Sequence, residues 1–128
     1  NETIETNKNN YTLYKEILDD LTGIKIINYP SNERNSYHYV VAEVTKNCPV
    51  ERDELIKILH ENNILARKYF WPGCHGMKPY QELYPHAKLV LPNTIDVAER
   101  VMVLPSGTAT LPKQIEAICQ IIVSAIKA

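Results

Sequence analysis

No stretch of this chain approaches the roughly 18 uninterrupted apolar residues of a membrane-spanning helix, and no basic-then-apolar leader opens it. A membrane span is therefore not expected. Cysteine is sparse and odd in number, and Cys48, Cys74 and Cys119 form no C-x-x-C pair. That argues against a disulfide scaffold and fits a reducing, cytoplasmic setting. Massed positive charge is missing too. The net charge is -1 and the basic residues are spread, with one local cluster at Arg67, Lys68 and Lys78, so the footprint of a nucleic-acid binder is absent. A small anionic ligand stays open. The chain begins with Asn1 rather than Met, which suggests a piece of a longer polypeptide.

What is present suits one globular domain with a single core, at 128 residues and 45% hydrophobic composition. Residues 1 to 8 are polar and read as frayed. Tyr14, Ile17, Leu18 and Leu21 then fall on one helical stripe, with Asn9 or Asn10 as cap and Gly23 as a left-handed stop. Ile24 to Ile27 is a short strand candidate, and Tyr37 to Val44 is the strongest, rich in β-branched and aromatic residues. A second helix is predicted from about Glu51 to Asn62, followed by a strand from Ile64 to Tyr69. Asn93 or Thr94 caps a turn or two of helix through Ala98, Val101 to Leu104 is a strand, and Lys88 to Pro92 is strand or packed loop. In the last helix Ile115, Ile118, Cys119, Ile122, Val123 and Ile126 form one apolar face, with Pro112 in its first turn. Three long helices and about four short strands without a βαβ repeat predict an α+β two-layer domain, with helices mostly covering one face of a short mixed sheet.

The run Ala66 to Tyr80, ARKYFWPGCHGMKPY, holds five aromatic or imidazole rings, two prolines, two glycines, a cysteine and three cations in fifteen residues. It reads as a strand end running into a ring-rich loop, the usual place for function on a rigid scaffold. Cys74 and His75, with His86 further on, match no common zinc framework, so a packed cysteine beside a polar histidine is the preferred reading. A Cys74/His75 nucleophile pair lacks an orienting third group. Glycines at 73 and 76 let the backbone near His75 approach a ligand, although a loop histidine satisfied by its neighbours fits equally. Arg67 and Lys68 suit a phosphate or carboxylate, but as alternating strand residues at most one should serve a given pocket. Tyr69, Phe70, Trp71, Tyr80 and Tyr84 read either as a stacking or contact surface or as a satellite core beneath the loop.

At this loop the sequence resembles the C-terminal part of the DegT/StrS-type sugar aminotransferases, enzymes of nucleotide-linked keto sugars that use pyridoxal phosphate. The resemblance runs through Tyr11 and Tyr14, Leu21-Thr22-Gly23-Ile24, Tyr37-His38-Tyr39-Val40-Val41 and Arg52-Asp53-Glu54-Leu55. It continues through Asn63-Ile64, Ala66-Arg67-Lys68-Tyr69-Phe70, Pro72-Gly73-Cys74-His75, Pro79-Tyr80, Leu91-Pro92 and Val103-Leu104-Pro105-Ser106-Gly107. Members often carry Arg and Glu where this chain has Gly76 and Lys78.

The resemblance implies a fold type I parent whose large N-terminal domain, absent here, holds the cofactor on a lysine. Residues 1–128 would be the smaller C-terminal domain that closes the active site. Schiff-base chemistry needs that lysine and an acidic partner for the pyridinium nitrogen. Nothing in this chain matches their motifs, and Lys68 and Lys78 lie in the wrong segment. The chain alone is thus expected neither to bind the cofactor covalently nor to transaminate. The implied substrate-binding residues are His75, then Arg67, Tyr69 and Tyr80. The implied partners are a keto-sugar nucleotide, with C4 amination of a 4-keto-6-deoxy sugar first and C3 the alternative, an amino donor such as glutamate, and a second subunit in a homodimer. Two rival readings are a non-catalytic binding or assembly module on the same domain, and a small hydrolase built on Cys74 and His75.

Overall fold

The computed structural model describes residues 2–128. A 17-residue helix α1 (Glu2–Leu18) leads into β1 (Ile24–Ile26), β2 (Val40–Val44) and α2 (Arg52–Glu61). The two-residue strand β3 (Arg67–Lys68) opens the ring-rich loop. Along it lie a single 3₁₀ turn (Cys74–Gly76) and two one-turn helices, α3 (Tyr80–Leu83) and α4 (Ala87–Val90). The chain closes with α5 (Pro92–Arg100), β4 (Val101–Leu104) and α6 (Pro112–Lys127).

The strands form one sheet in the order β1-β2-β4-β3. Every pairing is antiparallel, so the expected mixed sheet is corrected while the α+β two-layer class stands. Register assigns each residue to a face, because directly opposed residues share one. Ile24 opposes Val44, Ile26 opposes Ala42, Ala42 opposes Met102 and Val40 opposes Leu104, and all are buried. Against this face pack Tyr14 and Leu18 of α1, Leu55 and Leu59 of α2, and Ile115, Ile118, Cys119 and Ile122 of α6. The opposite face carries Val41 and Val103 and is only half covered.

Local differences from the sequence pattern have identifiable causes. Asn1 lies outside the described residues, but 2–8 are helical rather than frayed because asparagines dock them. Asn7 Nδ2 donates to the Ser36 carbonyl at 3.2 Å, and Asn10 Nδ2 to the Gly107 carbonyl at 3.0 Å. Asn10 is thus a buried anchor within the helix and not its cap. The expected strand from Tyr37 begins only at Val40, since Tyr37 takes a φ of 51° and packs its ring against Tyr11 and Tyr29. Ile64 to Tyr69 narrows to β3, with Asn63 at φ 59° turning the chain out of α2. Lys88 to Pro92 is neither strand nor packed loop: α4 covers Ala87–Val90, and Leu89 and Val90 are exposed. Gly23 does take a positive φ of 106°, but α1 ends at Leu18, so it turns the chain into β1 rather than stopping the helix. A Cβ there would sit 3.0 Å from the Cys48 Cα, so a side chain is unfavourable on both counts.

Candidate functional site

β3 is the sheet's edge strand, and its register sets the geometry of the ring-rich loop. Arg67 opposes Val103 and so belongs to the half-open face, whereas Lys68 opposes Met102 and points toward α2. The alternation expected from the sequence holds. Its corollary does not, because both residues border one cleft of about 280 Å³ with Tyr39, Tyr69, Phe70, Trp71, Met77 and Val103. The cleft wraps the sheet edge, so residues of either face can reach it.

Within the cleft the rings form a chain. Tyr39 and Tyr69 have centroids 5.8 Å apart, and Tyr69 and Phe70 are 4.4 Å apart. Beyond Tyr39 and Tyr69 the surface continues into a more apolar hollow of about 560 Å³, bordered by Ile27, Tyr29, His38, Val41 and Val97 among others. Tyr29 is fixed there by donating to the Tyr39 carbonyl at 2.7 Å, and its hydroxyl accepts the Tyr39 amide at 3.2 Å. Partial burial raises the Tyr29 hydroxyl above its usual pKa, so it stays a neutral donor.

Asp53, in the first turn of α2, sits between two cations. Lys68 Nζ donates to it at 2.8 Å and Arg52 Nε at 2.6 Å. The Lys68 hydrogen bond, more than any other contact, holds its carboxyl below the ordinary carboxylate range. Arg52 is 4% exposed and finds further acceptors in the carbonyls of Ala98 and Val101, at 2.8 and 2.7 Å. The sequence carried no signal for a buried arginine at this position, since its partners are backbone carbonyls 46 and 49 residues away. At the end of α5, Arg100 bridges Glu43 and Asp96.

The four candidate contact residues divide into two pairs. Arg67 and Tyr69 line the cleft. His75 and Tyr80 are not part of its wall: His75 lies in the 3₁₀ turn and Tyr80 begins α3. The His75 ring folds back over Gly73, where an added Cβ would fall 2.9 Å from its Cε1. Gly73 therefore serves the close approach of a neighbouring ring. Phe70, Trp71, Tyr80 and Tyr84 are all exposed, so the rings form an open surface rather than a satellite core. Cys74 is exposed on the same turn as His75, and no cluster of three or more His, Cys, Asp or Glu residues is placed to hold a metal among the described residues. No helix among them is long and apolar enough to cross a membrane.

The sequence profile of the DegT/DnrJ/EryC1/StrS aminotransferase family matches residues 1–123. The chain belongs to this family. Its members are aminotransferases dependent on pyridoxal phosphate. A relative from Escherichia coli, dTDP-4-amino-4,6-dideoxy-D-glucose transaminase, is 33% identical over 97 residues, which are 76% of this chain and 26% of that protein. The Shigella dysenteriae enzyme of the same name is 32% identical over 93 residues, 72% of this chain and 24% of its own length. Among solved structures, DesI in the presence of its TDP-sugar product superposes with a TM-score of 0.87 at 32% identity, covering 98% of this chain and 31% of DesI. DesV of S. venezuelae, in complex with a ketimine intermediate, gives 0.86 at 18% identity, covering 99% of this chain and 33% of DesV, a likeness of fold. The chain thus spans about a quarter of the curated relatives it matches.

The described lysines do not fit the role of carrying the family's cofactor. A lysine that carries it needs an enclosed site and an acidic group for the ring nitrogen. No lysine among the described residues is buried. Lys68 is half-exposed and paired with Asp53, and Lys78 is exposed and 3.1 Å from Glu82.

Proposed function

We propose that this chain is the C-terminal small domain of a nucleotide-sugar aminotransferase that uses pyridoxal phosphate, and that it closes one side of the active site and helps recognise a keto-sugar nucleotide. The observation that carries the reading is the cleft at the sheet edge, where the cation of Arg67 stands beside Tyr39, Tyr69 and Phe70. A guanidinium suits a diphosphate and rings suit the faces of sugar and base. The transaminase relatives and the TDP-sugar in the DesI structure support a 4-keto-6-deoxy sugar nucleotide aminated at C4, with C3 the alternative. His75 and Tyr80 approach the same substrate from the outer part of the loop. The cofactor, its lysine and the pyridinium partner belong to a large N-terminal domain, the amino donor is of the glutamate class, and the working unit is a cytoplasmic homodimer.

The test uses the full-length gene product, supplied with a TDP-4-keto-6-deoxy sugar and glutamate. Formation of the amino sugar nucleotide is expected. Arg67→Ala and His75→Ala should raise KM for the sugar nucleotide about tenfold or more while leaving the cofactor's absorbance intact, the signature of lost substrate contacts. No amination with any keto-sugar nucleotide would overturn the reading, and an unchanged KM in either variant would remove that residue from the site.

A further inference from the structure

The loop's root is fastened to the body of the fold by a cluster that none of the proposed substrate contacts includes. Asp53 accepts from Lys68 and Arg52, and both cations lie 5.4 Å from the centroid of Trp71. Arg52 in turn grips the Val101 carbonyl, which also receives the Tyr69 amide at 3.4 Å. Trp71 borders two hollows. One is the cleft with Arg67 and Tyr69, and the other is a charged hollow of about 520 Å³ bordered by Lys46, Arg52, Asp53 and Arg100 among others. Trp71 is thus a wall residue common to both.

Without the Asp53 charge, two cations beside one ring would repel each other. Arg52 is buried and held by two carbonyls, so it would stay. Lys68 is half-exposed on a long stem, so its ammonium would move into water and leave the indole. β3 is two residues long and paired only with β4. Besides that ladder it is held by the Tyr69 amide on the Val101 carbonyl and, on its other side, by His60 Nε2 at 2.7 Å from the Ala66 carbonyl. Among the described residues the Lys68–Asp53 bond is therefore its one side-chain tie to α2 from within the strand. Arg67 and Tyr69 flank Lys68 directly, so what moves Lys68 moves the cleft wall.

We infer that Asp53 is a positioning residue: by clamping Lys68 and Arg52 over Trp71 it fixes the root of the ring-rich loop and with it the aim of Arg67 and Tyr69. The role in substrate binding rests on the function proposed above, and the fastening of the loop does not.

Trp71 is the chain's only tryptophan, so its fluorescence reports the clamp without interference. Asp53→Asn should red-shift the emission and raise the acrylamide quenching constant by about twofold to fivefold, the population change that losing one surface cation–π contact allows. Lys68→Met should act in the same direction, and the double variant should be no worse than Asp53→Asn, because both break one link. Asp53→Glu, which keeps the charge, should restore at least part of the shielding. In the full-length protein Asp53→Asn should weaken TDP-sugar binding by calorimetry about fivefold to tenfold, with kcat within about twofold, as expected for a residue that aligns binding groups. Unchanged quenching in Asp53→Asn and Lys68→Met would overturn the clamp. Altered quenching with undiminished TDP-sugar affinity would reduce Asp53 to a structural role and overturn the inference while leaving the proposed function standing. A wild-type protein that neither binds nor aminates any keto-sugar nucleotide would overturn the proposed function and with it the substrate-binding role of Asp53, and the quenching result alone would then decide the clamp.

Discussion

Cys119 and Tyr14 meet where α6 packs on α1, and burial keeps both neutral. The Cys119 thiol is pushed up to about 12, mainly by desolvation and secondarily by Glu116. Desolvation, with a smaller contribution from Cys119, likewise raises the Tyr14 hydroxyl, which donates to the Pro105 carbonyl at 2.8 Å. A folded-state pKa above the unfolded one means that the fold binds the proton more tightly. The stabilisation is therefore complete below the ordinary thiol value of 9.0 and drains away as pH climbs from there toward about 12. The urea midpoint should hold steady from neutrality to that value and then fall. Cys119→Val, close in volume, should make the initial fall shallower and leave the tyrosine's contribution at higher pH. An equally steep decline in that variant would assign the loss to other groups.

At the scale of elements, the apolar periodicity of α6 and the β-branched core of β2 were legible because each element meets the core through its own side-chain pattern. The N-terminal half of α1 was not legible. Its buried face includes Asn7 and Asn10, and asparagine in sequence signals turns and caps; only partners 29 and 97 residues away turn these two into anchors. Tyr37 and β3 depart from the sequence pattern for a related reason, since ring packing and edge pairing are decided across the fold rather than along the chain. The loop's chemical density was visible from composition. Its clamp was not, because Arg52 reads as an ordinary helix-start charge until α5 and β4 supply its acceptors. Asn10→Ala measures how much such a hidden anchor matters. It removes a part-buried hydrogen bond and leaves the Gly107 carbonyl without it, so a loss of about 1–2 kcal/mol is expected in urea unfolding. Amide hydrogens in the first half of α1 should exchange faster while those near Leu18 do not. Uniform acceleration along the helix would mean that α1 docks as one unit and that Asn10 is not a local anchor.

For the molecule as a whole, the question is whether its own lysines can support the family's chemistry. Pyridoxal phosphate reacts with any accessible amine, so the informative quantity is selectivity rather than reaction. A site that binds the cofactor encloses one lysine and fixes the ring, which makes labelling stoichiometric and saturable at a single residue. In this chain every described lysine has solvent access, and Lys15, Lys46, Lys68 and Lys78 are each engaged by carboxylates in open surroundings. Borohydride reduction after incubation with the cofactor should therefore give adducts spread over several lysines, rising with concentration without a plateau. Lys68 should lag behind the more exposed Lys46 and Lys78, because its ammonium is held against Asp53 and beside the Trp71 ring and meets less solvent. Peptide mapping by mass spectrometry reads the distribution. A saturable adduct confined to one lysine would overturn the assignment of the cofactor to a separate domain. The ring-rich cleft would then have to be read as part of a complete site rather than as one wall of a divided one.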